Sequence, residues 1–269
     1  MKPRRKRPGG HTGPVRLRGS AMEPVFRTLE IAAKAAVRAT GTPIIYHGLK
    51  NIPHSGGAVV AINHTSYIDF LPAALAVHYR KRRIRFMIKA EMEQVKLVGY
   101  LIKRTKTIPV DRRAGTDAYA VAVQHLRAGE LVGVYPEATI SRSFELKEFK
   151  SGAARMALEA QVPIISLIVW GAQRYWTKDH PKSLGRNQIP ITVSVGAPLP
   201  PSGTSDQLDA AMRESMTTLL HQVQQDYPHP QGAYWVPRRM GGSAPTPAEA
   251  KRLDEAELAE RARRRAESA

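Results

Sequence analysis

The sequence contains no cysteine among its 269 residues. Disulfide bonds, thiolate zinc sites and a cysteine nucleophile are therefore excluded, and the composition is compatible with a reducing cytoplasm. Long apolar runs are missing as well, because none approaches the roughly 18 residues that span a bilayer. The basic N-terminus lacks the apolar core of a signal peptide, so secretion is not expected. If this protein meets a membrane, we expect it to lie on the surface.

Several common catalytic signatures are also absent. The sequence has no G-x-S-x-G elbow, no Walker loop, no G-x-G-x-x-G and no H-E-x-x-H, and its nine histidines form no recognisable zinc spacing. We therefore expect no metal, no nucleotide cofactor and no serine nucleophile.

Acidic residues are scarce relative to basic ones, with 23 Asp and Glu against 41 Lys and Arg and a formal net charge of +18. Such a balance predicts an anionic partner: nucleic acid, an acidic protein, a phosphorylated substrate or an anionic membrane. Aromatic residues make up only 6% and no nucleic-acid motif is present, so nucleic acid is not expected. A basic cluster at Arg80–Arg85 either docks an acidic carrier protein or CoA phosphates, or is a solvated helix end.

Short apolar strands alternate with helices along the chain. This pattern predicts an α/β fold with a mixed, mostly parallel sheet flanked by helices. We expect a disordered basic arm over residues 1–20, a main domain over 21–230 and a partly helical or disordered C-terminal tail over 231–269. An amphipathic helix over about residues 23–40 either lies in a headgroup layer or packs on the domain.

One stretch, Val59–Phe70, predicts a buried strand that ends in a polar turn and continues into a helix. It places His64 at the end of the strand and Asp69 five residues later. Imidazole is the usual general base near neutral pH, and a carboxylate on its other nitrogen fixes the tautomer. The alternative is a helix cap, because Ser66-x-x-Asp69 fits a capping box.

Two further polar segments follow predicted strands. Arg112 comes after the strand at residues 107–110 and either grips a phosphate or lies on the surface. The segment after the strand at residues 131–135 carries an acid, two hydroxyls and an arginine, namely Glu137, Thr139, Ser141 and Arg142. Ligands bind at the carboxyl ends of strands in such sheets, so we expect these side chains near His64.

In this order the segments resemble the glycerolipid acyltransferases, specifically the 1-acylglycerol-3-phosphate acyltransferase family. The matching segments, from the first motif to the fourth, are His64–Asp69, then Lys89–Gly99 with Ile108–Arg112, then Tyr135–Glu137, and finally Phe149–Ala154 with Val162–Ile165. The resemblance covers roughly residues 40–200.

The resemblance implies that a histidine deprotonates an acceptor hydroxyl, which attacks the thioester of acyl-CoA or acyl carrier protein. On this sequence the resemblance assigns the role of the base to His64, and Asp69 would support that histidine. Lys89 and Arg112 would bind the acceptor phosphate, and Glu137 would shape the acceptor site. The remaining substrate-binding candidates are Thr139, Ser141 and Arg142. No cofactor beyond the acyl donor is implied, and the enzyme would bind an anionic membrane peripherally, on the cytoplasmic face.

The third motif departs from the family pattern. The family usually has glycine and arginine at the positions of Ala138 and Ile140. Arg142 or Arg113 would compensate, or the acceptor is another lysophospholipid, a glycolipid or an acylated amino acid. A non-catalytic basic protein that binds membranes or nucleic acid is the remaining alternative.

Overall fold

The computed structural model describes residues 24–91, 96–110, 115–183 and 185–267. Within these ranges seven strands form one sheet in the order β1-β7-β6-β2-β5-β3-β4. The strands are β1 Ile44–His47, β2 Ala58–Ile62, β3 Ile84–Lys89, β4 Ile108–Val110, β5 Leu131–Val134, β6 Ile164–Trp170 and β7 Ile191–Val195. All neighbours are parallel except β6 and β7. The predicted fold class is thereby confirmed.

Helices cover both faces of the sheet. They are α1 Pro24–Thr40, α2 Phe70–Tyr79, α3 Lys96–Thr105, α4 Gly115–Arg127, α5 Gly152–Ala160, α6 Ser205–Asp226 and α7 Pro247–Glu267. Every residue of β2 is buried, as expected for a strand inside a parallel sheet. Val59 and Ala61 face the core under α4, α5 and α6, whereas Val60 and Ile62 face the core under α2.

The sheet brings the ends of several strands to one edge. β2 and β5 run parallel with Ala61 beside Val134, so the segments that follow both strands leave the sheet together. β3 lies on the other side of β5, and Lys89 at its end pairs with Val110. Arg112 and Arg113, which follow β4, lie outside the described residues.

The N-terminal helix α1 contacts the domain through charged and aromatic side chains. Glu30 pairs with His78 at 3.3 Å and with Arg83 at 3.1 Å, and the Phe26 ring lies under the guanidinium of Arg83. Ile31 is 61% exposed. Among the described residues, no helix is both long enough and apolar enough to cross a bilayer.

The packed core continues past residue 230. Trp235, Val236 and Ala244 are buried in the same cluster as α4, α5 and α6. The helix α7 then follows, with Ala250 buried against the protein. The expected C-terminal tail therefore contains both core residues and a 21-residue helix.

Candidate active site

The turn after β2 is anchored to the neighbouring strand β6 by Asn63. Its side-chain amide donates to the Val169 carbonyl at 3.0 Å and its oxygen accepts the Val169 N–H at 2.7 Å. Asn63 is fully buried. The chain therefore leaves the sheet in a fixed direction, and the next residue, His64, lies just beyond the sheet edge.

His64 and Asp69 are in direct contact. His64 Nδ1 lies 3.2 Å from Asp69 Oδ2. The same oxygen accepts the backbone N–H groups of Thr65 at 2.8 Å and Ser66 at 2.7 Å. The Asp69 side chain is fully buried, whereas 21% of the His64 side chain is exposed. With Nδ1–H donating to the carboxylate, neutral His64 presents Nε2 as a proton acceptor.

The expected capping box does not form, because α2 begins at Phe70 and Ser66 lies in the turn before it. Asp69 accepts the Ser66 N–H, but the Ser66 hydroxyl accepts from the Ile68 N–H at 3.2 Å and donates to the Trp176 carbonyl at 2.6 Å. Asp69 directly precedes α2. The Asp69 carboxylate therefore closes the turn before α2 and contacts the imidazole, but it makes no capping hydrogen bond to the helix.

Burial raises the pKa of Asp69, while the hydrogen bonds from His64 and from two backbone N–H groups act in the opposite direction. These donors favour the carboxylate form. The arrangement can fix an imidazole tautomer and stabilise an imidazolium ion.

Glu137 connects the segment after β5 to the turn that carries His64. Its Oε1 accepts the backbone N–H of His64 at 2.8 Å and its Oε2 accepts the N–H of Lys147 at 3.1 Å. The Ser141 N–H donates to the His64 carbonyl at 2.7 Å. Both backbone polar groups of His64 are thus bound by this loop. Glu137 is 4% exposed, and burial raises its pKa to about 7 against these hydrogen bonds.

Ala138 adopts a left-handed backbone conformation, with φ of 58°. The family usually has glycine here, and glycine reaches this region without a steric penalty. The turn geometry is therefore formed in this chain with an alanine. Ile140, at the family's arginine position, is 3% exposed.

Aromatic side chains line one side of the imidazole. The His64 ring stacks on Tyr135 with a centroid separation of 4.2 Å. Tyr135 lies beside Phe86 at 6.5 Å, and Phe86 contacts Phe70 edge-to-face at 6.3 Å. Phe70 is 47% exposed. The candidate base thus adjoins an apolar wall that reaches the surface.

The other candidate binding residues have different surroundings. The Thr139 hydroxyl accepts from the Lys147 ammonium at 2.6 Å, and the buried Ser141 hydroxyl donates to the Glu145 carbonyl at 2.6 Å. Arg142 is 8% exposed and pairs with three carboxylates. Lys89 is exposed at the end of β3. Thr139, Ser141 and Arg142 share one loop with Glu137, and their substrate-binding roles stay predictions.

The basic cluster at residues 80–85 is largely bound to the protein. Arg82 donates to the carbonyls of Pro53 and Gly129, and Arg85 donates to Glu130 at 2.8 Å.

Within the part of the chain that the structure describes, no group of three metal-binding side chains comes together.

Two lysines near the site, Lys147 and Lys178, were not predicted from the sequence. Lys147 lies between the third and fourth motifs, and Lys178 lies beyond the fourth. Thr177, just before Lys178, donates its hydroxyl to the Thr65 carbonyl at 2.7 Å. Each lysine reaches the site through contacts between distant segments, so no local pattern marks it.

Comparison with known proteins finds similarity to acyltransferases, as the motifs predict. The model of the acyltransferase family matches residues 43–170. The 1-acyl-sn-glycerol-3-phosphate acyltransferase of Bacillus subtilis is 31% identical over 117 residues, covering 43% of this chain and 57% of that protein. The human 1-acyl-sn-glycerol-3-phosphate acyltransferase alpha is 28% identical over 195 residues, covering 69% of this chain and 66% of that protein.

A solved structure shows the same fold. The 1-acyl-sn-glycerophosphate (LPA) acyltransferase PlsC from Thermotoga maritima superposes with a TM-score of 0.62 at 20% identity, covering 76% of this chain and 81% of that chain. The chain spans little more than half the length of the Bacillus relative. These matches confirm the resemblance of the ordered motifs to the acyltransferase family, whose model covers residues 43–170 of this chain.

Proposed function

We propose that the protein is an O-acyltransferase that moves a fatty acyl group from acyl-CoA or acyl carrier protein to the free hydroxyl of 1-acylglycerol-3-phosphate, giving phosphatidic acid. The observation that carries this proposal is the contact of His64 Nδ1 with the buried Asp69 carboxylate. This contact leaves Nε2 as the proton acceptor beside an apolar wall.

The reaction needs one base and no covalent enzyme intermediate. His64 Nε2 takes the proton from the acceptor hydroxyl as its oxygen attacks the thioester carbon. The tetrahedral intermediate then collapses, the C–S bond breaks, and the imidazolium returns the proton to the departing thiolate. Asp69 remains ionised and stabilises the imidazolium, while Glu137 holds the backbone of the turn in place.

The acceptor is inferred from the names of the relatives and from the cations at the site. Lys89 and Arg112 are our candidates for the acceptor phosphate. The acyl chain would run along the wall formed by Phe70, Phe86 and Tyr135. Because Ile140 is buried where the family has arginine, a different acceptor, such as another lysophospholipid or a glycolipid, is the second candidate.

We place the enzyme peripherally on the cytoplasmic face of an anionic membrane. The net charge of +18 supports electrostatic attraction to such a surface. The helix α1, with Ile31 exposed, supports insertion among headgroups. The acyl donor and the acceptor lipid are the partners in this proposal.

An acceptor panel tests the function. Purified protein is incubated with acyl-CoA or acyl carrier protein and with lysophosphatidate, other lysophospholipids, a glycolipid and an acylated amino acid, and products are identified by mass spectrometry. We expect phosphatidic acid from lysophosphatidate. Transfer only to another acceptor would establish the second candidate. Salt-sensitive binding to lipid or DNA without thioester consumption would establish the non-catalytic alternative.

A further inference from the structure

Three cationic side chains lie together beside the catalytic turn: Arg142, Lys147 and Lys178. They are 8%, 25% and 12% exposed, respectively. We call these three side chains the cation cluster. Partly buried cations lose hydration, so such a cluster requires anions close by.

The cation cluster is tied to the turn that carries the base. The Ser141 N–H donates to the His64 carbonyl, and the Thr177 hydroxyl donates to the Thr65 carbonyl, both at 2.7 Å. The residues that follow Ser141 and Thr177 are two of the three cations. The third cation, Lys147, donates its backbone N–H to the carboxylate that also binds the His64 N–H.

Two carboxylates of α7 occupy the cation cluster. Glu257 Oε2 lies 2.9 Å from Arg142 Nη2 and 2.8 Å from Lys178 Nζ. Asp254 pairs with Arg142, with Lys147 and, at 3.4 Å, with Lys178. Burial acts to raise the pKa of Glu257, but the hydrogen bonds from Lys178 and Arg142 outweigh it and lower the pKa to about 2. Burial likewise acts to raise the pKa of Asp254, but the hydrogen bond from Lys147 and the charge of Lys178 outweigh it and lower the pKa, so both carboxylates are charged near neutral pH.

The middle of α7 has little apolar contact with the domain. Ala250 is buried near its start, but Leu253 is 46% exposed and Leu258 is 56% exposed. An open groove of about 800 Å³ lies beside α7, and its lining includes Tyr67, Arg142, Lys178 and Leu253. Because these cations are largely buried, the carboxylates of α7 can leave only if another anion takes their place.

We propose that the cation cluster is a binding site for a phosphate monoester, and that Asp254 and Glu257 of α7 compete internally for it. The two acids lie three residues apart on one face of the helix, and together they carry the charge of a phosphate monoester dianion. A bound phosphate would replace both carboxylates and release α7 towards solvent. The cation cluster would then bind the phosphate in place of the arginine that the family usually has at the position of Ile140.

This inference rests on the proposed function, because the phosphate is that of the acceptor lipid or the 3′-phosphate of CoA. Hydrogen exchange tests it without turnover. Exchange of α7 amides in the wild-type protein is compared with lysophosphatidate against monoacylglycerol, and with CoA against dephospho-CoA. We expect exchange over residues 250–264 to increase at least fivefold with the phosphate-bearing member of one pair. Unchanged exchange with both pairs would overturn the proposal.

Kinetics provide a second measurement. The variant Asp254→Asn/Glu257→Gln keeps the shape of both side chains and removes their charge. Its control is Glu214→Gln/Glu255→Gln, which removes the same charge at two exposed positions. We expect KM to fall about fivefold in the first variant only. If the acceptor phosphate binds the cation cluster, the KM for lysophosphatidate falls. If the 3′-phosphate of CoA binds it, the KM for acyl-CoA falls and the KM for acyl carrier protein does not.

The outcomes separate this proposal from the proposed function. Unchanged or raised KM values for both substrates in a folded variant would contradict internal competition, even if phosphatidic acid is made. If no acceptor is acylated, the proposed function fails, and hydrogen exchange with the two ligand pairs still decides whether phosphate displaces α7. If the charge-neutral variant does not fold, hydrogen exchange on the wild-type protein decides alone.

Discussion

Glu137 accepts a hydrogen bond from the backbone N–H of His64 at 2.8 Å. Its second oxygen accepts the N–H of Lys147 at 3.1 Å, so one buried carboxyl group joins the turn that carries His64 to the loop after β5. The acid contacts the backbone of His64, and its effect on the imidazole is therefore positional. Because this group is titratable, its protonation state bears on the stability of the folded protein.

The buried Glu137 predicts a stability that falls as pH rises. Its pKa is raised from 4.5 to about 7 in the folded protein. Between these values the folded state holds a proton that the unfolded state has lost, so the free energy of unfolding decreases with increasing pH. Relative to Glu137→Gln, the wild type should lose at most roughly 3 kcal/mol between pH 4.5 and 7.

Urea unfolding of the wild type and Glu137→Gln at several pH values measures this change. The variant also disturbs the hydrogen bonds to two backbone N–H groups, which gives an offset at every pH. The test is therefore how the difference in unfolding free energy between the wild type and the variant changes with pH. A wild type that becomes more stable relative to the variant as pH rises would show that the carboxyl group is ionised throughout.

Asp69→Asn should lower kcat by about 10²- to 10⁴-fold with little change in KM. An amide cannot stabilise the imidazolium by charge, and its nitrogen cannot accept the N–H groups of Thr65 and Ser66. Steady-state kinetics of acyl transfer provide the measurement, with thermal unfolding to confirm a folded variant. Asp206→Asn, at an exposed position on α6, is the matched control. A folded Asp69→Asn variant with wild-type kcat would remove Asp69 from the mechanism.

Ala138→Gly should increase the free energy of unfolding by about 0.5–1 kcal/mol. The left-handed φ of 58° at this position costs an alanine about 1–2 kcal/mol, and the entropy of glycine in the unfolded chain offsets part of the gain. Ala210→Gly, at an exposed position inside α6, should decrease the same quantity by about 1 kcal/mol. Equal destabilisation by both substitutions would show that Ala138 carries no strain.

The sequence predicts those parts of the fold and site that depend on local patterns. The apolar run of β2, the polar turn after it and the acid at position 69 lie within twelve residues, and their geometry follows from strand and turn chemistry. The carboxyl ends of β2 and β5 meet because parallel strands share an edge. The order of the four motifs along the chain is a property of the sequence alone, and it indicates the family.

Other features depend on contacts between distant segments. The antiparallel pairing of β6 with β7 follows from how the chain returns to the sheet, and no local pattern marks it. The contacts of Arg142 with Asp254 and Glu257 join residues more than a hundred positions apart. Because α7 is charged along most of its length, its sequence favours a solvated helix, and only the structure brings its acids to the cation cluster.

The most direct test of base catalysis is the turnover of His64→Ala with acyl-CoA and lysophosphatidate, followed by mass spectrometry of phosphatidic acid. The substitution removes the imidazole and keeps the backbone groups that bind Glu137 and Ser141, so the variant should fold. We predict a loss of kcat of at least about 10³-fold with unfolding temperature nearly unchanged. Near-normal turnover by the folded variant would contradict the role of His64 as the base.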